Sequence, residues 1–274
     1  SSGVRKEVSH SSDSFVVKLD RPLEDLIKKS RHPVLLQDRD SFGTSRKVIK
    51  KSMDALLPRP IDEIKFTYPE QAMEGIIKND ADVSYLSINP TLARLFMSGL
   101  EKMYKENDPL LQHLKGRRFL VELTGEPINL NELKKWDKLL DKVFGELKEK
   151  DLHRFVSIYG LSETLMIGVY RYRKSDKEIQ YEVKPNSFCI VIDEKGNPIV
   201  GEKGKIEVTK LINNLVSASG TVLPRYITGD LAIAKFKDGT LYLINPERDP
   251  EKGQLSIIGN KLPLDSLPIE LAKL

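Results

Sequence analysis

Apolar residues recur along this chain with two different periods, and the change falls near residue 164. Ahead of it, short apolar runs alternate with stripes at helical spacing. Val34-Leu35-Leu36 predicts a short strand, residues 72–77 a helix, and Ala81-Asp82-Val83-Ser84-Tyr85-Leu86 a buried strand. Pro90 opens the next helix, whose Leu92, Leu95, Phe96, Leu100 and Met103 fall on one face and are predicted core. The strongest helical signal runs from Leu130 to about Leu147. Asn129 stands in the N-cap place with Glu132 three residues on, and Leu133, Trp136, Leu140, Val143, Phe144 and Leu147 form one stripe. The alternation of strand and helix through Tyr85, Leu95, Leu120, Trp136 and Val156 predicts a parallel sheet with covering helices.

After Thr164 the period becomes two. Gly168-Val169-Tyr170-Arg171-Tyr172-Arg173, Ile179-Gln180-Tyr181-Glu182-Val183 and Lys205-Ile206-Glu207-Val208-Thr209 all alternate. Lys195-Gly196-Asn197-Pro198 and Leu223-Pro224-Arg225 are turn signals. Asp238-Gly239 predicts a hairpin joining Ala232-Ile233-Ala234-Lys235-Phe236 to Thr240-Leu241-Tyr242-Leu243-Ile244. The fold class is therefore α/β, with a parallel α/β lobe over 1–164 followed by a β-rich lobe over 165–254.

Composition narrows the chemistry without naming it. The 274 residues suffice for a large core, and 39% hydrophobic with 31% charged residues excludes a disordered chain. The net charge of +4 is spread among acidic neighbours, which reads as solvated faces; no nucleic-acid partner is expected. The one cysteine, Cys189, lies in an apolar run and is predicted to be a buried, inert thiol. It excludes an intrachain disulfide and suits a reducing cytoplasm. No apolar stretch approaches membrane-spanning length, so no membrane partner is expected.

Three segments carry candidate chemistry. In Ser157-Ile158-Tyr159-Gly160-Leu161-Ser162-Glu163-Thr164 a strand-like run leads to an aromatic that can stack on a purine. Gly160 there admits close backbone approach, and Ser162, Glu163 and Thr164 bring hard oxygens for phosphate or Mg²⁺. Thr124-Gly125-Glu126-Pro127 follows the apolar strand Phe119-Leu120-Val121-Glu122-Leu123, and Tyr226-Ile227-Thr228-Gly229-Asp230 follows the turn signal at Pro224. On local evidence Asp230 reads equally as a turn cap or a ligand, and Arg248 as a surface ion pair. His10 and His153 read as structural or exposed.

Taken in this order, the three segments resemble those of the adenylate-forming enzymes: acyl-CoA synthetases, adenylation domains and luciferase-like ligases. The wording Tyr159-Gly160-Leu161-Ser162-Glu163 is most similar to phenylacetate-CoA ligase-like proteins. The likeness extends to Ser1-Ser2-Gly3 with Lys6, similar to a phosphate loop and its lysine, and to Ser87-Ile88-Asn89-Pro90-Thr91, similar to a proline-centred turn near an acyl pocket. It also takes in Arg248-Asp249 and 255–274, similar to a hinge leading into a small C-terminal domain.

The resemblance implies a β-rich lobe of distorted, barrel-like form and an ATP/AMP site. A small carboxylic acid would attack the α-phosphate of ATP, releasing pyrophosphate and leaving an acyl-adenylate, with coenzyme A as the acceptor. Nucleotide binding then falls to Ser2, Gly3, Lys6, Gly125, Glu126, Pro127, Tyr159, Gly160, Asp230 and Arg248. Catalysis falls to Ser162 and Glu163, with Glu163 as the Mg²⁺ ligand. The family also has a subdomain ahead of this region and a lysine-bearing domain after it, so the chain is expected to be a core fragment that works with a missing C-terminal domain or partner subunit. The alternative is a degenerate, non-catalytic scaffold of the same fold.

Overall fold

The computed structural model describes residues 21–38, 50–51, 53–149, 152–161, 165–184, 187–212, 221–250, 254–257 and 260–263. These form two compact units. One takes the described residues up to Ile158, those from Tyr170 to Ile179 and those after Asp249; the other takes Tyr159–Val169 and Gln180–Asp249.

The first unit is built on parallel strands β1 (Pro33–Asp38), β2 (Asp62–Phe66), β3 (Val83–Ile88), β4 (Arg118–Thr124) and the start of β5 (Phe155–Leu161). They pair in the order β2-β1-β3-β4-β5. The chain steps outward from β1 to β2, then returns past β1 to β3. β1 and β3 are buried along their whole length, as strands covered on both faces must be. Helix α1 (Arg21–Lys29) precedes β1, α2 (Pro69–Lys78) links β2 to β3, α3 (Pro90–Lys105) links β3 to β4, and α4 (Leu130–Phe144) links β4 to β5.

Each face has its own core. On one, Phe66, Phe96, Phe119 and Phe144 follow one another at centroid distances of 5.4, 6.0 and 4.6 Å, the first pair edge to face and the other two stacked, which ties α3 and α4 to β2 and β4. Each such pair contributes about 0.5–1.5 kcal/mol beyond the area it buries. On the other face Leu35, Tyr85 and Leu120 pack with Leu23 and Ile27 of α1 and with Met53 and Ile61.

Both long helices begin where the sequence predicts. The Asn89 side chain accepts from the Leu92 N–H at 2.8 Å with Pro90 in the first turn. Asn129 and Glu132 form a capping box. Two expectations are corrected. Leu95 is 66% exposed, not core. Helix α4 ends at Phe144 because Gly145 follows at φ +94, so Leu147 packs from the segment beyond the helix against the α1 side of the sheet.

Beneath the C-terminus of α4 lies a buried ion cluster. Arg154, 4% exposed, sets Nε 3.0 Å from Asp137 Oδ1. Its Nη2 donates to Asp141 Oδ1 and to the Gly145 carbonyl, both at 2.8 Å. Lys174 Nζ donates to Asp141 Oδ2 at 2.6 Å. Burial raises the Asp137 carboxyl above its ordinary range, opposed by the Arg154 charge. Arg154 also meets the negative end of the helix dipole through the Gly145 carbonyl.

The second unit is antiparallel, with no helix among its described residues. Its strands β6 (Leu165–Arg171), β7 (Gln180–Val183), β8 (Ser187–Ile192), β9 (Lys203–Ile212), β10 (Thr221–Lys237) and β11 (Thr240–Arg248) are ordered β6-β7-β11-β10-β9-β8. Asp238 (φ +50) and Gly239 (φ +75) make the predicted two-residue hairpin, with Lys237 opposite Thr240. Cys189 is buried and its thiol is pushed up to about 12 by desolvation, as an inert core residue. Tyr226–Asp230 does not follow a turn, because β10 runs through Pro224. The ladder slips between Leu223 and Tyr226 instead, since Pro224 has no N–H to give. A separate hairpin pairs β12 (Gln254–Ile257) with β13 (Asn260–Pro263). Among the described residues no helix is long and apolar enough to cross a membrane.

Candidate functional site

In the antiparallel unit the hairpin sets Asp230 directly opposite Arg248. Arg248 Nη1 donates to Asp230 Oδ1 at 2.8 Å and to the Thr228 carbonyl at 3.3 Å. The Tyr159 hydroxyl donates to Asp230 Oδ2 at 2.9 Å, and the Asp230 N–H donates to Thr228 Oγ1 at 3.1 Å. Asp230 therefore does not cap its own turn. Asp230 is 7% exposed and its carboxylate is held by a cation and a phenol, one on each oxygen, and each oxygen keeps a lone pair for another donor. Paired acceptors of this kind suit two adjacent hydroxyls.

Gly229 makes this arrangement possible. It sits at φ +74, in the stretch where β10 and β9 slip between Ile227 and Leu231, and the Arg248 guanidinium lies 3.5 Å from where its Cβ would be. Gly229→Ala is expected to cost about 1 kcal/mol through the left-handed backbone, read as a lower denaturation midpoint at unchanged slope.

Tyr159 and Gly160 lie within β5, not in a turn after it, since the strand continues to Leu161. The Tyr159 ring meets Tyr181 at 5.7 Å, tilted by 58°. Burial, then the neighbouring Asp230 charge, raises its phenol well above the ordinary range, so it stays a donor.

In the parallel unit, Gly125 (φ +93) and Pro127 are exposed just past β4, and nothing lies within 4 Å of a Cβ built on Gly125. Glu126 reaches α3: its Oε2 accepts from Thr91 Oγ1 at 2.6 Å and from the Thr91 N–H at 3.2 Å, with Arg94 at 3.9 Å. Arg94 is itself held bidentately by Glu132, at 2.7 and 3.1 Å. Thus Glu126 fixes the start of α3, and Gly125 and Pro127 remain the open part of that loop. His153 is structural, with Nδ1 3.2 Å from the Tyr172 carbonyl. Ser2, Gly3, Lys6, His10, Ser162 and Glu163 lie outside the described residues.

One group escaped the sequence reading. Glu122 in β4 is 2% exposed and accepts from the Tyr85 hydroxyl at 2.8 Å and from Ser87 Oγ at 3.2 Å. Desolvation raises its carboxyl to about 7, against those two hydrogen bonds. The available signal was a lone acid inside the apolar run Phe119 to Leu123.

No protein-family model and no curated protein matches this chain. Solved structures do. IdnL1 is 15% identical at a TM-score of 0.56, covering 85% of this chain and 48% of its own. PA1221, a protein containing adenylation and PCP domains, is 19% identical at 0.53, covering 85% and 40%. The amide bond synthetase McbA from Marinactinospora thermotolerans is 15% identical at 0.53, covering 88% and 46%. The chain spans less than half the length of each of these three. It has the fold found in adenylate-forming enzymes.

Proposed function

We propose that this chain, sharing the large-domain fold of the adenylate-forming enzymes, binds ATP and activates a small carboxylic acid as its acyl-adenylate, which then passes to coenzyme A. The observation that carries the reading is Asp230, a nearly buried carboxylate fixed by Tyr159 and Arg248 with an acceptor position left on each oxygen. Such a group suits the two hydroxyls of a ribose, because hydrogen bonds to an ionised acceptor contribute about 1.5–3 kcal/mol. Positioning and charge neutralisation then drive attack of the acid on the α-phosphate, with no covalent enzyme intermediate. A Mg²⁺ ion at Glu163 would neutralise phosphate charge.

Asp230→Asn keeps the shape and the oxygen facing Arg248 but removes the charge. The variant is expected to fold and to bind AMP about five- to two-hundred-fold more weakly, corresponding to about 1–3 kcal/mol. Calorimetry with AMP, paired with melting curves of both proteins, checks it. Unchanged affinity with a lowered melting temperature would make Asp230 structural, and absence of any AMP binding by the folded wild type would remove the reading altogether.

A further inference from the structure

β1, β3 and β4 are neighbours, in register Leu35 to Tyr85 and Tyr85 to Leu120. Those three residues form one apolar row on the face toward α1. Side chains return to the same face every second residue, so the next row along the strands is Gln37, Ser87 and Glu122. All three are buried, at 2%, 4% and 2% exposure. Ser87 and Tyr85 already donate to Glu122, one on each oxygen. No cation partners Glu122 among the described residues, and Gln37 Oε1 is buried without a donor. A buried acceptor left unmet costs about 1–3 kcal/mol.

The place of this row matters as much as its chemistry. Gln37 and Ser87 are the penultimate residues of β1 and β3, and Glu122 is two short of the end of β4. In the order β2-β1-β3-β4-β5 the winding reverses between β1 and β3, so the row straddles the switch point at the carboxyl ends of the strands. Open parallel sheets bind their ligands there.

We propose that Gln37, Ser87 and Glu122 form a specificity subsite for a hydrogen-bond-donating end, a protonated amine or a hydroxyl, on the acid that this chain activates. The identity of the rest of the ligand rests on the proposed acid activation. Among the described residues the row holds surplus acceptors and no compensating cation. An amine brings both the missing donor and the missing charge, a hydroxyl brings only the donor, and a methyl group brings neither and leaves the acceptors dry.

The test uses straight-chain acids matched in length and ending in an amine, a hydroxyl or a methyl group, titrated by calorimetry into wild type, Glu122→Gln and Gln37→Met, with AMP titrated alongside. The two variants nearly conserve volume and keep the fold. Wild type is expected to prefer at least one donor-ended acid over the methyl-ended one by about tenfold or more. Glu122→Gln should lose the amine preference, and Gln37→Met should weaken whichever donor-ended acid is preferred, with AMP affinity unchanged in both. A preference for the amine or for the hydroxyl identifies which donor the site takes. Equal binding of all three acids, no binding of any, or a preference that survives both variants would overturn the subsite. AMP binding with indifference to the acid's end removes the subsite and leaves the activation reading standing. Donor-ended selectivity without AMP binding does the reverse.

Discussion

Arg154→Ala is expected to destabilise the fold by about 3–5 kcal/mol, the cost of stranding the buried Asp137 carboxylate when the buried cation beside it is removed. Arg154 is 4% exposed and touches Asp137, Asp141 and the Gly145 carbonyl together. Lys174 cannot take over, because it stands 3.9 Å from Asp137 and is itself 61% exposed. Thermal melting should show a fall of roughly 10 °C for a chain of this size. Adding Asp137→Leu to Arg154→Met should recover part of the loss, since a buried ion pair exchanged whole for apolar groups is often neutral. A loss under about 1 kcal/mol for Arg154→Ala would show that solvent reaches the cluster.

A second large effect is the part of the pH dependence of stability that Glu122 contributes. Its folded carboxyl titrates near 7 against an ordinary 4.5, raised chiefly by burial. Below about pH 4.5 it is protonated folded and unfolded, and contributes no penalty. Between there and 7 the unfolded chain loses the proton while the folded chain keeps it, so stability falls as pH rises. Above 7 both are ionised and the penalty levels off at about 3 kcal/mol. Urea denaturation of wild type and Glu122→Gln at several pH values isolates it. The difference between the two proteins should grow from pH 4.5 to 7 and then stay flat. A difference independent of pH would mean that Glu122 is ionised throughout.

What the sequence revealed was local. Asn129 and Glu132 announce α4 because a capping box lies within four residues, and Asp238-Gly239 announces the β10–β11 hairpin because φ above zero is needed at both positions. Leu95 shows the limit of helical spacing. It belongs to the same pattern as Leu92 and Phe96, yet at about 100° per residue it lies roughly 120° from the centre of the buried face. How wide a face is buried depends on the neighbours, which periodicity does not contain. Tyr159, Asp230 and Arg248 were each legible as candidates, but the bond from the Tyr159 hydroxyl to Asp230 was not, since the two are 71 residues apart. Glu122 was illegible as a polar centre because its meaning comes from strand order, which sets Ser87 beside it.

The pairing of β10 with β11 also bears on how the candidate site assembles. Asp230 and Arg248 are separated by only 18 residues and joined by a two-residue turn, so their contact closes with the hairpin, an event of about 1–10 μs. The Tyr159 hydroxyl reaches Asp230 from 71 residues away and must wait for closure of a far longer stretch of chain, which slows as contacts become less local. The charged pair is therefore the early part of the site and the phenol the late one. In a refolding experiment, the tyrosine contact would report completion of the antiparallel unit, while the ion pair would report only its first turn.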